Sequence, residues 1–217
     1  MNVIIPALLD NRFSDVSFLC STASKKQAEQ LFIFFKQHPL FNWENINNRC
    51  EGRADALCVL LDEWDIPNYK AWVFSGAYLK NHIGALKQNW KYHVSPVIAV
   101  EEDGQIIHYV VDPSTAGFLK SISEWAIEIT EIAHSYYFIH QSHWYIFAAK
   151  NIITAKWNTR NRQNRKWMIQ CLAGINSMTA SRKAKLCFNK LLLKNTEAMF
   201  EKLKNEKPIL IETLGNT

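Results

Sequence analysis

A hairpin constrains this chain more than any other feature. Tyr92 to Val100 is an aromatic and β-branched run. The turn signal Glu101-Glu102-Asp103-Gly104 follows, and Gln105 to Val111 returns. Asp-Gly between two apolar runs favours a tight antiparallel connection, because glycine takes the left-handed backbone such turns require. Asp112-Pro113-Ser114 closes the return strand. Pro96 inside the first strand predicts an edge position or a bulge, since proline offers a sheet no N–H. A turn centred near residues 102 and 103 makes facing positions sum to about 205, with facing Cβ atoms roughly 4.5–5.5 Å apart. That arithmetic sets His93 against Asp112. An aspartate there accepts from one imidazole nitrogen and turns the other toward a nucleophile. The same spacing serves equally for an ordinary cross-strand pair.

The remaining pattern surrounds the hairpin with helices. Ala28, Leu31, Phe32 and Phe35 recur at helical spacing within a helix expected over 14–37, capped by Ser14 or Ser24. A second helix is expected from Asn47–Arg49 to about Trp64, with Cys50, Ala54, Leu57 and Leu61 on one face; Asp65-Ile66-Pro67-Asn68 stops it. Tyr69 to Phe74 reads as a strand, 118–134 as an amphipathic helix, 136–149 as one or two strands and 160–205 as basic helix, while 77–90 gives no clear pattern. Helices, then antiparallel strands, then helices make an α+β chain rather than alternating βαβ units.

Cys50 falls at the start of the second helix. Unpaired N–H groups and the positive end of the helix dipole favour a thiolate there, so the thiol pKa should fall, and the same N–H groups suit an oxyanion. A buried, inert cysteine is the competing reading. The other cysteines, Cys20, Cys58, Cys171 and Cys187, form no CxxC pair, and an odd total of five fits a reducing compartment better than a disulfide framework. His134, His140 and His143 lie close in sequence without an accompanying carboxylate or cysteine, so no metal is expected, and the chemistry needs no organic cofactor.

Charge divides the chain. Residues 151–217 hold 13 Lys/Arg against 4 Asp/Glu, and residues 1–150 hold 12 against 16. The expected organisation is a catalytic domain over 1–150 and a basic helical extension over 151–217, packed on the core or standing apart. The extension suits an acidic partner; Trp157 and Trp167 among Arg160, Arg162, Arg165 and Lys166 are the only aromatics interleaved for a nucleic acid, which is not the favoured partner. Met1 to Pro6 has no basic n-region and no stretch is long and apolar enough for a span, which predicts a protein made in the cytoplasm without a cleaved leader.

The motifs together resemble the protein-glutamine glutaminases, or protein-glutamine deamidases. Cys50-Glu51-Gly52-Arg53-Ala54 is similar to the family's C-x-x-R-A nucleophile motif, Trp90-Lys91-Tyr92-His93-Val94 to its W-x-Y-H-V histidine motif, and Val110 to Ser114 to its acid motif ending in D-P-S. Trp72 to Gly76, Gln30-Leu31-Phe32 and Tyr136-Tyr137 also have counterparts, so the resemblance spans about residues 25–145. It implies a papain/transglutaminase-like fold, with the nucleophile on a helix N-terminus and the His and Asp on an antiparallel sheet. It implies Cys50 as nucleophile, His93 as general acid/base and Asp112 as orienting residue, in hydrolysis of a protein-bound glutamine to glutamate and ammonia through a thioester. Trp90, Tyr92 and Arg53 are the candidate substrate contacts. The chain departs from the family in placing Asp55 after the motif, where members have His, and in showing none of the disulfides, leader or propeptide of the secreted members. An effector or toxin-like deamidase, leaving the cell without a cleaved leader, fits those departures. A transglutaminase-like acyl transferase, a thiol protease and a non-enzymatic binding module are the competing readings.

Overall fold

The computed structural model describes residues 23–44, 50–74, 80–81, 84–85, 92–129, 136–142, 145–147, 152–154, 162–176 and 184–206. The chain runs α1 (Lys25–Gln37), α2 (Cys50–Glu63), β1 (Asn68–Phe74), β2 (Lys80–Asn81), β3 (Gly84–Ala85), β4 (Tyr92–Glu102), β5 (Gln105–Val110), β6 (Lys120–Ser121), α3 (Ile122–Ile129), β7 (Tyr136–Gln141), β8 (Tyr145–Phe147), β9 (Ile152–Thr154), α4 (Arg162–Asn176) and α5 (Ala184–Lys204). The order is the expected α+β layout. Ser24 caps α1 in a capping box. Its hydroxyl accepts from the Gln27 N–H at 3.2 Å, and the Gln27 side chain accepts from the Ser24 N–H at 2.9 Å. The expectation that α1 begins at 14 falls partly outside the described residues.

An antiparallel sheet in the order β6-β5-β4-β1-β7 forms the frame. Its faces differ. Ala71, Val73, Val97 and Val110 meet Trp125 and Ala126 of α3 on one side. On the other, Ile98, Val100, Tyr109 and Val111 meet α1 and α2. Met168, Ile169 and Leu172 of α4 and Phe200 and Leu203 of α5 belong to this second core, and the Trp64 indole donates to the Lys204 carbonyl at 3.1 Å. The two basic helices therefore bury their apolar stripes against the helix that carries Cys50. Gly52 is the point of closest approach: a Cβ there would lie 2.3 Å from Cys171 Cβ.

The hairpin differs from expectation in register. Its turn residues are Asp103 and Gly104, both with positive φ, and Glu102 faces Gln105, so the pairing is shifted by two. The ladder ends at Val97 and Val110. Pro96, expected at an edge or bulge, lies in an interior strand of the sheet, paired with β1 and just beyond the end of the β4–β5 ladder. It is accommodated where β5 is leaving. The Pro96 carbonyl still accepts from the Val111 N–H at 2.9 Å, and the Ser95 hydroxyl donates to the Val111 carbonyl at 3.1 Å, where the missing proline N–H would have pointed.

Candidate active site

The departure of β5 from β4 creates the site. Beyond Val110 the chain turns over Pro113 to Thr115, and among the described residues no strand pairs with β4 on that side from Tyr92 to Pro96. A small cavity lies in this gap, with about 180 Å³ of empty volume, lined by Cys50, Arg53 and Ala54 of α2, by His93, Val94, Ser95 and Pro96 of β4, by Val111, Asp112 and Ser114, and by Trp43. Strand alternation puts His93 on the α3 face, where its ring lies 5.9 Å from that of Trp125. Cys50 packs with Trp72 and Val94 on the opposite face. The two residues thus line one cavity from different faces of the sheet.

His93 and Asp112 are joined as expected, although not as ladder partners. His93 Nε2 lies 2.7 Å from Asp112 Oδ2, with the two residues 1% and 3% exposed. The turn after the strand saturates the carboxylate. Oδ1 accepts from the Ser114 N–H at 3.2 Å and from the Ser114 hydroxyl, and Oδ2 also accepts from the Thr115 hydroxyl. Thr115 Oγ1 in turn accepts from the Trp125 indole at 2.8 Å, and the Asp112 carbonyl accepts from the N–H groups of Thr115 and Ala116. Burial pushes the Asp112 carboxyl upward, but the His93 imidazole and the Ser114 and Thr115 hydroxyls outweigh it and hold the pKa at about 2. A fixed, charged carboxylate selects Nε2 as the nitrogen that donates to it and leaves Nδ1 as the other ring nitrogen.

The thiol is poised differently from the sequence expectation. Cys50 begins α2 and is 8% exposed. Burial, together with the neighbouring Glu51 carboxylate, pushes its pKa up rather than down, against the Arg53 guanidinium and a hydrogen bond from the Val94 N–H. In this enclosed setting desolvation of a thiolate outweighs the helix terminus. The resting thiol accordingly keeps its proton and points it to Glu51 Oε2 at 3.5 Å. Val94 N–H reaches the sulfur because β5 no longer covers that edge. Residues 94 and 96 share a strand side, and that of Pro96 is the β5 side.

Of the expected substrate contacts, Trp90 lies outside the described residues. Tyr92 is half-buried against the Trp72 ring, and its hydroxyl donates to Glu51 Oε1. Arg53 is only 2% exposed. It donates to the Asn42 carbonyl at 3.3 Å and lies over the Trp43 ring at 5.4 Å, so its charge reaches the cavity from within the wall. Asp55 forms a buried ion pair with Lys70 of β1, fastening α2 to the sheet. Glu51 was not singled out from sequence. The signal was its place directly after the nucleophile motif's cysteine, one position that a side-chain pattern leaves open. Among the described residues no group of three His, Cys, Asp or Glu side chains is placed to hold a metal, and no helix is long and apolar enough to cross a membrane. His134 and His143 lie outside the described residues.

A cysteine, a histidine and a fixed acid around one cavity, on an α+β frame, are the parts of a thiol acyl-transfer centre. The family comparison sharpens that class: residues 25–129 match the glutaminase family. The solved structures similar to this chain are protein-glutaminases. A crystal structure of protein-glutaminase has a TM-score of 0.57 at 14% identity, covering 74% of this chain and 90% of that one. The NMR structure of protein-glutaminase from Chryseobacterium proteolyticum has a TM-score of 0.53 at 12% identity, with the same coverage. A mutant of pro-protein-glutaminase has a TM-score of 0.55 at 15% identity, covering 80% of this chain and 63% of that one. No curated protein matches the chain. The resemblance read from the motifs therefore holds. Residues 25–129, which carry all three motifs, match the glutaminase family model, and the fold is similar to that of the protein-glutaminases.

Proposed function

We propose that this protein hydrolyses the side-chain amide of glutamine within a protein substrate, releasing ammonia, with Cys50 as nucleophile, His93 as general acid/base and Asp112 as its orienting partner. The observation that carries the reading is the buried 2.7 Å contact of His93 Nε2 with Asp112, on the wall of the cavity that Cys50 also lines. Because the resting thiol is held protonated, the first step is transfer of its proton to His93 Nδ1. The Arg53 charge favours the thiolate that results. The sulfur attacks the carboxamide carbon. The Cys50 N–H at the helix start and the Val94 N–H of β4 are the donors at hand for the oxyanion. His93 returns its proton to the departing nitrogen, ammonia leaves, and water then hydrolyses the thioester with His93 as base. A narrow cavity admits an unbranched side chain more readily than a main chain passing through it, which favours deamidation over proteolysis.

The basic surface of 151–217 supports a recognition role toward an acidic face of the substrate protein, and an effector acting outside the producing cell fits the same reading. The test is product analysis on a glutamine-rich protein with a primary amine in excess. Gln-to-Glu conversion with stoichiometric ammonia on an uncut chain supports deamidation. Amine attached to glutamine as the main product would make the protein a transglutaminase, and new peptide termini would make it a protease.

A further inference from the structure

Glu51 sits oddly for a bystander. A carboxylate beside a nucleophilic sulfur opposes formation of the thiolate, yet here it is held in place. Tyr92, packed on Trp72, donates to Oε1, which leaves Oε2 facing the sulfur at 3.5 Å. A carboxylate can only accept hydrogen bonds. In the resting site it accepts from the thiol, but that proton goes to His93 when the sulfur attacks. Oε2 is then an acceptor in a semi-enclosed site with its donor removed, which is costly unless another donor arrives.

The reaction itself delivers one. When Sγ bonds the carboxamide carbon, that carbon carries an oxyanion, an apolar methylene and an NH2 group, each two bonds from a sulfur that lies 3.5 Å from Oε2. The oxyanion is repelled by the carboxylate and the methylene cannot donate. Only the nitrogen fits. We propose that Glu51 is a specificity-determining contact for the carboxamide nitrogen, accepting one of its N–H groups through Oε2 from attack until ammonia leaves. This rests on the deamidation reading above and adds an orientation to it. The nitrogen turns toward Glu51 and the oxyanion toward the Cys50 and Val94 N–H groups. The nitrogen lone pair is then free to take the proton from His93 Nδ1 as the C–N bond breaks. The nitrogen departs as NH3, the S–acyl bond remains, and water later replaces sulfur at the same carbon. The glutamate product brings a second carboxylate to the same place and is repelled, which speeds its release.

The test compares two peptide substrates that differ only in the leaving group, a glutamine and the corresponding glutamate γ-methyl ester, which forms the same thioester but has no N–H to give. For Glu51→Ala we expect kcat/KM for the amide to fall about 10- to 100-fold, the size of a lost hydrogen bond to a charged group, with the ester within about threefold of wild type. Glu51→Gln, which keeps an acceptor oxygen, should fall between. A purely structural Glu51–Tyr92 clamp would lower amide and ester together, and that result, or an amide rate unchanged in Glu51→Ala, overturns the proposal. Wild-type enzyme that cleaves the ester but releases no ammonia from glutamine would overturn the deamidation reading itself, and this contact with it.

Discussion

Asp112→Asn isolates what the acid contributes. In the wild type, Oδ2 accepts from His93 and Thr115, and Oδ1 accepts twice from Ser114. An asparagine keeps one oxygen. If that oxygen serves the two Ser114 donors, the new NH2 group faces His93 Nε2 and forces the ring into the tautomer with its proton on Nδ1. That nitrogen can no longer take a proton from Cys50. By analogy with the same change in serine-protease triads, deamidation should fall about 10³- to 10⁴-fold in kcat. Stability should respond less. The carboxyl is lowered from 3.8 to about 2, which corresponds to roughly 2 kcal/mol of native-state stabilisation at neutral pH. Because the folded pKa lies below the unfolded one, this stabilisation is complete well above pH 4 and disappears as pH falls through about 2. About half should be gone by pH 3. The assay is ammonia release at pH 7 together with urea denaturation at several pH values. The stability gap between variant and wild type should narrow as pH falls from 6 to 3. Activity within tenfold of wild type would refute the orienting role. A gap that widens toward low pH would refute the electrostatic account of Asp112.

Other changes test the packing that positions Cys50. Gly52→Ala places a Cβ 2.3 Å from Cys171 Cβ, so α4 must move, and a loss of about 1–3 kcal/mol is expected in urea denaturation; adding Cys171→Gly, which removes the opposing Cβ, should recover much of it. Lys70→Met strands the buried Asp55 carboxylate and should cost about 3–5 kcal/mol, whereas Lys70→Met with Asp55→Leu should cost far less by the same measurement.

The sequence made the elements legible where period and punctuation agreed. Glu101 to Gly104 marked the turn, Ser24 was one of two candidate caps for α1, and the three motifs located Cys50, His93 and Asp112. What it could not give was register. A two-residue shift in the hairpin removes the direct His93–Asp112 facing, yet the residues still meet, because the chain abandons the ladder after Val110 and the turn through Pro113 brings the carboxylate back. Such a break is a tertiary event, and Pro96 hinted at it only as a missing donor. The thiol was misjudged for a related reason. A helix start is visible in sequence, but the enclosure that desolvates Cys50, and the Tyr92 hydroxyl that fixes Glu51 beside it, depend on how β4 and α2 dock. The basic helices were expected as an extension, packed on the core or standing apart, and α4 and α5 put apolar residues in the core behind α2, a choice that a charge count cannot make.

The measurement that bears most directly on the account is ammonia release from a glutamine-containing protein by wild type, Cys50→Ala and Cys58→Ala, with the substrate's Gln-to-Glu mass change followed in parallel. Cys58 lies on the same helix, is also buried and has its pKa pushed far up by burial, so it controls for thiol loss without site loss. The account predicts full conversion by wild type and Cys58→Ala, and none by a folded Cys50→Ala. Conversion by Cys50→Ala at a rate near wild type would contradict it.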